Sequence, residues 1–184
     1  MSGYLSDPVI VFGARLAIAL LFASSLLHKL RYFTEFRQHV ADYQLLPARL
    51  AFAAALLLLC AEAATLLALI VPGMTGEGAL LAAGLLALYA LAMAINLARG
   101  RRHIDCGCAG PQLAQPISEW LLLRNALLIG LALVGAQTPG GRSPGAWDVG
   151  LTVCFVLSLW LLYTAANGLL ANAPHIKLLV PDHD

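Results

Sequence analysis

Charge is scarce in this chain: 11% of its 184 residues are Asp, Glu, Lys or Arg, and 60% are hydrophobic. A soluble domain carries about 25% charged residues, so the composition excludes an ordinary soluble fold and indicates an integral membrane protein. The mean hydropathy of +0.81 agrees. No stretch outside the apolar runs is long enough for a core of its own, which leaves a single integral membrane domain, 1–184. Lys and Arg are missing ahead of the first apolar run, and Arg15 interrupts it, so that run reads as a retained segment rather than a secretory signal. A glycine-rich phosphate loop, a Ser/His/Asp set near an elbow motif and a basic-aromatic surface are all lacking. Nucleotide-cradling, serine-hydrolase and nucleic-acid-binding functions are thereby set aside. Cysteines number only four, but two of them, Cys106 and Cys108, are one residue apart.

Five apolar runs reach or approach the roughly 20 residues that cross a hydrocarbon core as a helix. They lie at about 9–30, 48–71, 78–99, 119–137 and 146–170. Asp7-Pro8 supplies a cap and a first-turn proline for the first. Pro47 precedes the second and Pro72-Gly73 stops it; a turn-rich stretch at 138–145 follows the fourth, and Pro174 is expected to end the fifth. The fold class is therefore all-α, a polytopic membrane helical bundle. Between the first two spans, 31–46 is too polar to cross. Leu30, Phe33, Phe36 or Arg37, Val40 and Tyr43 share one face there, which predicts a short interfacial helix with its aromatics toward the acyl chains. Ala83, Ala87, Ala90, Ala94 and Ala98 form a stripe along the third span where a neighbouring backbone is expected to approach.

The basic residues fall on alternate sides. Lys29, Arg31, Arg37, Arg49, Arg99, Arg101, Arg102, Arg124 and Lys177 share one side, and only Arg142 lies on the other. By the positive-inside rule the N-terminus is outside, and the C-terminus and the Cys-Gly-Cys loop are cytoplasmic.

Asp105-Cys106-Gly107-Cys108 carries the chemistry. Two thiols one residue apart close only into a small ring, whose geometry strains a disulfide and makes it easy to reduce. Gly107, Gly110 and Pro111 let the backbone turn and bring both sulfurs to one side. Arg101, Arg102 and His103 favour the thiolate and Asp105 opposes it. Three readings of the pair stay open: redox exchange, metal capture with His103, and a tight turn with inert thiols. Cys60 and Cys154 lie within the second and fifth spans, as small apolar residues or as an electron relay that has to meet the pair in space. Arg124 and Asn125 open the fourth span, where Arg124 can support a thiolate from below or serve as an anchor. Arg15 and Glu62 are the deepest charges, about 9 Å and about 13 Å below the outer surface at 1.5 Å per residue. Charges at that depth pair or line a polar cavity, so an Arg15–Glu62 pair is expected.

Six fragments occur in order: His28-Lys29-Leu30, Tyr43-Gln44-Leu45-Leu46-Pro47, Ala61-Glu62, the 95–101 block Ile-Asn-Leu-Ala-Arg-Gly-Arg, the 105–110 block Asp-Cys-Gly-Cys-Ala-Gly, and Arg124-Asn125. Together, over about 9–135, they resemble the methylamine utilisation MauE family, within the MauE/DoxX-like group of redox-associated membrane proteins. Ala109 departs from the bulky aromatic expected there. The resemblance implies a four-helix core like that of vitamin K epoxide reductase and DsbB, with a fifth transmembrane helix and the interfacial helix added. It implies residence in the bacterial inner membrane and a role in processing, transport or maturation of the disulfide-rich small (β) subunit of methylamine dehydrogenase. A thioredoxin-like, MauD-type protein is the implied partner, Cys106 and Cys108 the implied redox pair, and a quinone an open cofactor choice. The alternative is a non-catalytic scaffold or transporter component whose Cys/His loop is structural or binds a metal. Maturation of that enzyme is periplasmic whereas the charge bias puts the pair in the cytoplasm; outward transfer of cytosolic reducing equivalents, a re-entrant loop or the opposite orientation reconciles the two, and the strength of the charge bias favours one of the first two.

Overall fold

The computed structural model describes residues 6–102, 104 and 117–179, with side chains of the final helix described as far as Leu169. Among the described residues six α-helices follow in order: α1 (Pro8–Arg31), α2 (Phe33–Asp42), α3 (Ala51–Ile70, entered through a 3-10 turn at Ala48–Leu50), α4 (Thr75–Ala98), α5 (Glu119–Gly135) and α6 (Ala146–Leu179). There is no strand among the described residues. Among the described residues four segments are long and apolar enough to cross a membrane: Pro8–Arg31, Ala48–Ile70, Thr75–Ala98 and Ala146–Leu169. The chain is thus an all-helical, multi-pass membrane protein. The 17 residues of α5 span about 25 Å, short of the roughly 30 Å hydrocarbon core.

Local chemistry sets the helix ends. The Asp7 carboxylate accepts from Val9 N at 2.9 Å, and Pro8 takes the first turn, where a missing N–H costs nothing. At the end of α4, Arg101 N donates to Asn96 O at 3.0 Å and Gly100 N to Leu97 O at 2.9 Å. Gly100 has φ +73°. This is a Schellman cap, and it needs a residue that tolerates the left-handed region. It turns Arg101 back, so that its guanidinium donates to Asn96 Oδ1 at 3.2 Å and to Tyr43 O at 3.4 Å.

The core lies among α1, α3, α4 and α5, where Ile18, Phe22, Leu69, Ala79, Ala82, Ala83, Leu86 and Ala132 form one buried cluster. Its alanines let the helices close on one another, as membrane packing requires without a hydrophobic drive between helices. The closest approach of one backbone to another among the described glycines is at Gly78, where an added Cβ would lie 2.6 Å from Leu69 N and 2.7 Å from Ala68 C. α6 packs chiefly against α1 and leaves Leu157, Leu161 and Leu162 on the outer surface. One end of the bundle is tied by Gly140 N to Ser6 O at 2.7 Å and by Arg142 to Asp148 at 2.8 Å and Asp7 at 3.3 Å. The hydrogen bond to Asp148, with both carboxylate charges, holds the Arg142 guanidinium above its ordinary range. Arg102 meets Glu119 at 2.6 Å where α5 begins. α5 therefore runs from that end of the bundle to the end holding Ser6.

Three expectations change. The buried face of α4 is Gly78, Ala79, Ala82, Ala83, Leu86, Met93 and Asn96, so of the predicted alanine stripe only Ala83 is buried; Ala87 and Ala98 point outward. Alanine frequency alone mislocated the face, which the larger residues Leu86 and Met93 help define. The final helix continues through Pro174 to Leu179; an interior proline costs a hydrogen bond and crowds the carbonyl four residues back, which can kink a helix without ending it. The interfacial segment is helical over a narrower range, and its aromatics pack on protein: Phe36 is buried, and Phe33 meets Phe52 of α3 edge-on at 5.8 Å.

Gly78→Ala is expected to lower thermal stability in detergent by about 1–3 kcal/mol, the usual cost of overpacking. Gly84→Ala, with nothing within 4 Å of its added Cβ, should leave the midpoint unchanged or raise it. An unaffected Gly78→Ala midpoint would contradict the backbone contact between α3 and α4.

A buried ion pair and the cavity around it

The deepest polar cluster joins three helices. Lys29 of α1 and Glu62 of α3 form an ion pair with side chains 4% and 1% exposed. The Tyr89 hydroxyl of α4 donates to Glu62 Oε1 at 2.6 Å and accepts from Lys29 Nζ at 3.2 Å. Ser25, one turn before Lys29, donates to Glu62 Oε2 at 3.5 Å. The ammonium also sits 4.7 Å from the Phe36 ring centre and 4.6 Å from that of Tyr89, so both aromatic faces share its charge. Phe36 belongs to the interfacial helix, which thus closes over the cluster. A lone charge here would be prohibitively placed; paired and hydrogen-bonded, the cluster is tolerable.

The expected Arg15–Glu62 pair is not formed. Arg15 Nε donates to Gly135 O at 2.7 Å and its Nη2 to Gln137 O at 3.0 Å. These are carbonyls at the end of α5, which lack partners within the helix, so a cation caps them well. Arg15 and Lys29 lie about 21 Å apart along α1, and only Lys29 is level with Glu62. Lys29 was counted as a surface anchor; instead it is turned inward. The spacing Ile18, Phe22, Ser25, Lys29 marks one helix face and was the available signal. Tyr89 had no comparable signal.

A cavity of about 350 Å³ opens on this cluster and is walled further by Arg124 and Asn125 of α5 and by Trp160, Tyr163 and Asn167 of α6. Arg124 Nη1 donates to Asn167 Oδ1 at 2.8 Å, and its guanidinium lies 5.8 Å from the Tyr163 ring centre. It is therefore a wall of the bundle rather than a headgroup anchor. A second, more apolar cavity of about 270 Å³ lies beneath the interfacial helix, among Phe36, Val40, Tyr43, Leu57 and Met93; Lys29 and Tyr89 separate the two.

Of the cysteines, Cys60 and Cys154 are described, and both are exposed on the outside of the bundle. Each is two positions, or about 200°, from a buried neighbour, Glu62 and Val156 respectively. His103, Asp105, Cys106, Gly107 and Cys108 lie outside the described residues. The described ends of their segment are fixed: Ile117 N donates to Ile104 O at 3.0 Å, and both residues are buried with Met93 and Leu121. The fragments scattered along the sequence thus converge. His28, Lys29, Glu62, Arg124 and Asn125 line one cavity, while the 95–101 block grips residues 43 and 44 through Arg101 and Arg99.

The methylamine utilisation protein MauE family model matches residues 7–138. The chain belongs to the MauE family. Relatives within MauE include the methylamine utilization protein MauE of Paracoccus denitrificans, 39% identical over 168 residues, which cover 91% of this chain and 90% of that protein. Its namesake from Methylophilus methylotrophus is 36% identical, covering 96% of this chain and 94% of the relative. That of Paracoccus versutus is 38% identical, covering 95% and 96%. No solved structure matches the chain.

Removing either partner of the ion pair strands a buried charge, at about 3–5 kcal/mol. Lys29→Met and Glu62→Leu are each expected to lower thermal stability in detergent accordingly. The double variant should lose much less than the sum of the two. Additive losses would show that the two charges act independently.

Proposed function

We propose that the protein is a membrane thiol–disulfide exchange component of methylamine utilisation, with Cys106 and Cys108 as its redox pair. The observation that carries this is the family membership combined with where the fragments meet. The segment bearing Cys106 and Cys108 springs from the Ile104–Ile117 junction, on the end of the bundle where Arg101, Arg102 and the 95–101 block gather. In the exchange, one cysteine thiolate attacks the disulfide of a thioredoxin-like partner and a mixed disulfide forms. The other cysteine then displaces it, leaving a Cys106–Cys108 disulfide and a reduced partner; the reverse sequence delivers a disulfide. The partner fitting this role is a MauD-type protein, and the substrate the disulfide-rich small subunit of methylamine dehydrogenase. In this reading α5 is a further crossing, completing a four-helix core of the vitamin K epoxide reductase and DsbB type with α1, α3 and α4. The chain sits in the bacterial inner membrane with its Cys-Gly-Cys segment on the cytoplasmic side. The basic residues that remain on the surface after Lys29 and Arg124 are set aside still support that orientation.

Cys106→Ser and Cys108→Ser are each expected to abolish the function in methylamine-grown cells. One of them should accumulate a mixed disulfide with the partner, visible on non-reducing gels and identified by mass spectrometry. Full activity in both variants would instead favour a scaffold. For orientation, a membrane-impermeant maleimide should leave Cys106 unlabelled in intact spheroplasts and label it in inverted vesicles; the opposite pattern would reverse the topology.

A further inference from the structure

The apolar cavity of about 270 Å³ beneath the interfacial helix has no part in the thiol exchange described above. Its roof is one face of α2, where Phe36, His39, Val40 and Tyr43 recur at helical spacing. Leu57 of α3 and Leu88 and Ala92 of α4 form its floor. Leu57 is 70% and Leu88 49% exposed, on helices that cross the membrane, so the cavity opens sideways into lipid. At its inner end, Lys29 and Tyr89 are committed to Glu62. An occupant therefore buries an apolar chain here, and its polar part stays at the outer end.

That outer end is basic. Arg99 Nη1 donates to Gln44 O and Arg101 Nη1 to Tyr43 O, each at 3.4 Å. Both guanidiniums thus stand beside the lip formed by Tyr43, Leu45 and Leu46. Arg49, three residues beyond Leu46, is exposed. Across 36–50 and 95–102 the charged residues are Arg37, Arg49, Arg99, Arg101 and Arg102, against Asp42. Arg102 pairs with Glu119. Among the described residues, Arg49, Arg99 and Arg101 meet no carboxylate. Guanidiniums without a carboxylate at a membrane surface suit a phosphate, whose oxygens match their fork of donors.

We propose that this cavity and its arginine rim bind an anionic phospholipid, with one acyl chain beneath α2 and the phosphate among Arg49, Arg99 and Arg101. A zwitterionic lipid offers the same chain, but its ammonium cancels the phosphate charge and is repelled by the rim. The site stands on the cavity and the arginines, independently of the thiol exchange. A lipid held there joins α2, α3 and α4 at the end of the bundle where the Ile104–Ile117 junction lies.

The test uses the full chain purified in a mild detergent. Added phosphatidylglycerol should raise the thermal midpoint saturably and persist as a bound adduct in native mass spectrometry. Phosphatidylcholine with the same chains should bind much more weakly. Arg49→Gln and Arg99→Gln should each weaken phosphatidylglycerol binding about tenfold, the value of one charge-assisted hydrogen bond, and leave phosphatidylcholine unaffected. Ala92→Phe fills the cavity from α4 and should remove saturation by both lipids. Ala54→Leu fills it less drastically from α3 and gives the same reading should Ala92→Phe fail to fold. Equal binding of the two lipids overturns the anionic head group. Equal stabilisation by glycerol 3-phosphate, which has no chain, overturns the acyl site. A response that stays linear, or is unchanged by the filling variants, overturns the cavity. A lipid-free dimer that the filling variants make monomeric assigns this face to a second copy of the chain and overturns the lipid.

Discussion

The Lys29–Glu62 pair is the constraint to which the rest of this molecule conforms. Two opposite charges in an apolar bundle are tolerable only with their remaining hydrogen-bonding capacity satisfied. That requirement recruits Tyr89 from α4, Ser25 from α1 and the ring of Phe36 from the interfacial helix. Four helices are thereby held at one level by a handful of polar atoms. The apolar contacts around them are mostly alanine on leucine and specify register weakly. Polar satisfaction, rather than apolar area, fixes how these helices meet.

Much of the fold was legible from one-dimensional patterns. Long apolar runs separated by Pro72-Gly73 and by the turn-rich 138–145 stretch give the helices to within a few residues, except for the C-terminal end of α6, because hydropathy and backbone breakers are local properties. Which face of a helix is buried was less legible. In a membrane protein both faces are apolar, so period-3.6 patterning fades, and the alanine stripe on α4 met the buried face only at its edge, through Ala83. Pairing was least legible of all. Arg15 and Glu62 were matched by depth, but a guanidinium has two kinds of partner, carboxylates and free helix-end carbonyls, and sequence spacing does not rank them. Lys29 was hidden because a lysine near a helix end ordinarily snorkels to the interface.

The family fragments carry a different kind of information. Asn96, Arg99 and Arg101 looked like a generic basic helix end. In three dimensions, Gly100 folds the chain back so that Arg101 and Arg99 hold Tyr43 and Gln44 of the first connection. The interfacial helix, its apolar cavity and the base of the Cys-Gly-Cys segment are thus one assembly, joined through backbone carbonyls rather than side-chain ion pairs. Such contacts ask for the guanidinium's fork of donors, which a lysine does not present.

The way α5 ends bears on how the chain is built. Its final carbonyls are satisfied by Arg15, and at 17 residues it is the shortest of the apolar helices. Alone in lipid it would leave those acceptors bare, a cost of several kcal/mol each. The residue that covers them lies in α1, which leaves the ribosome before α5. During synthesis the cap is therefore in the membrane before the helix that needs it, and α5 joins a waiting partner instead of inserting on hydrophobicity alone.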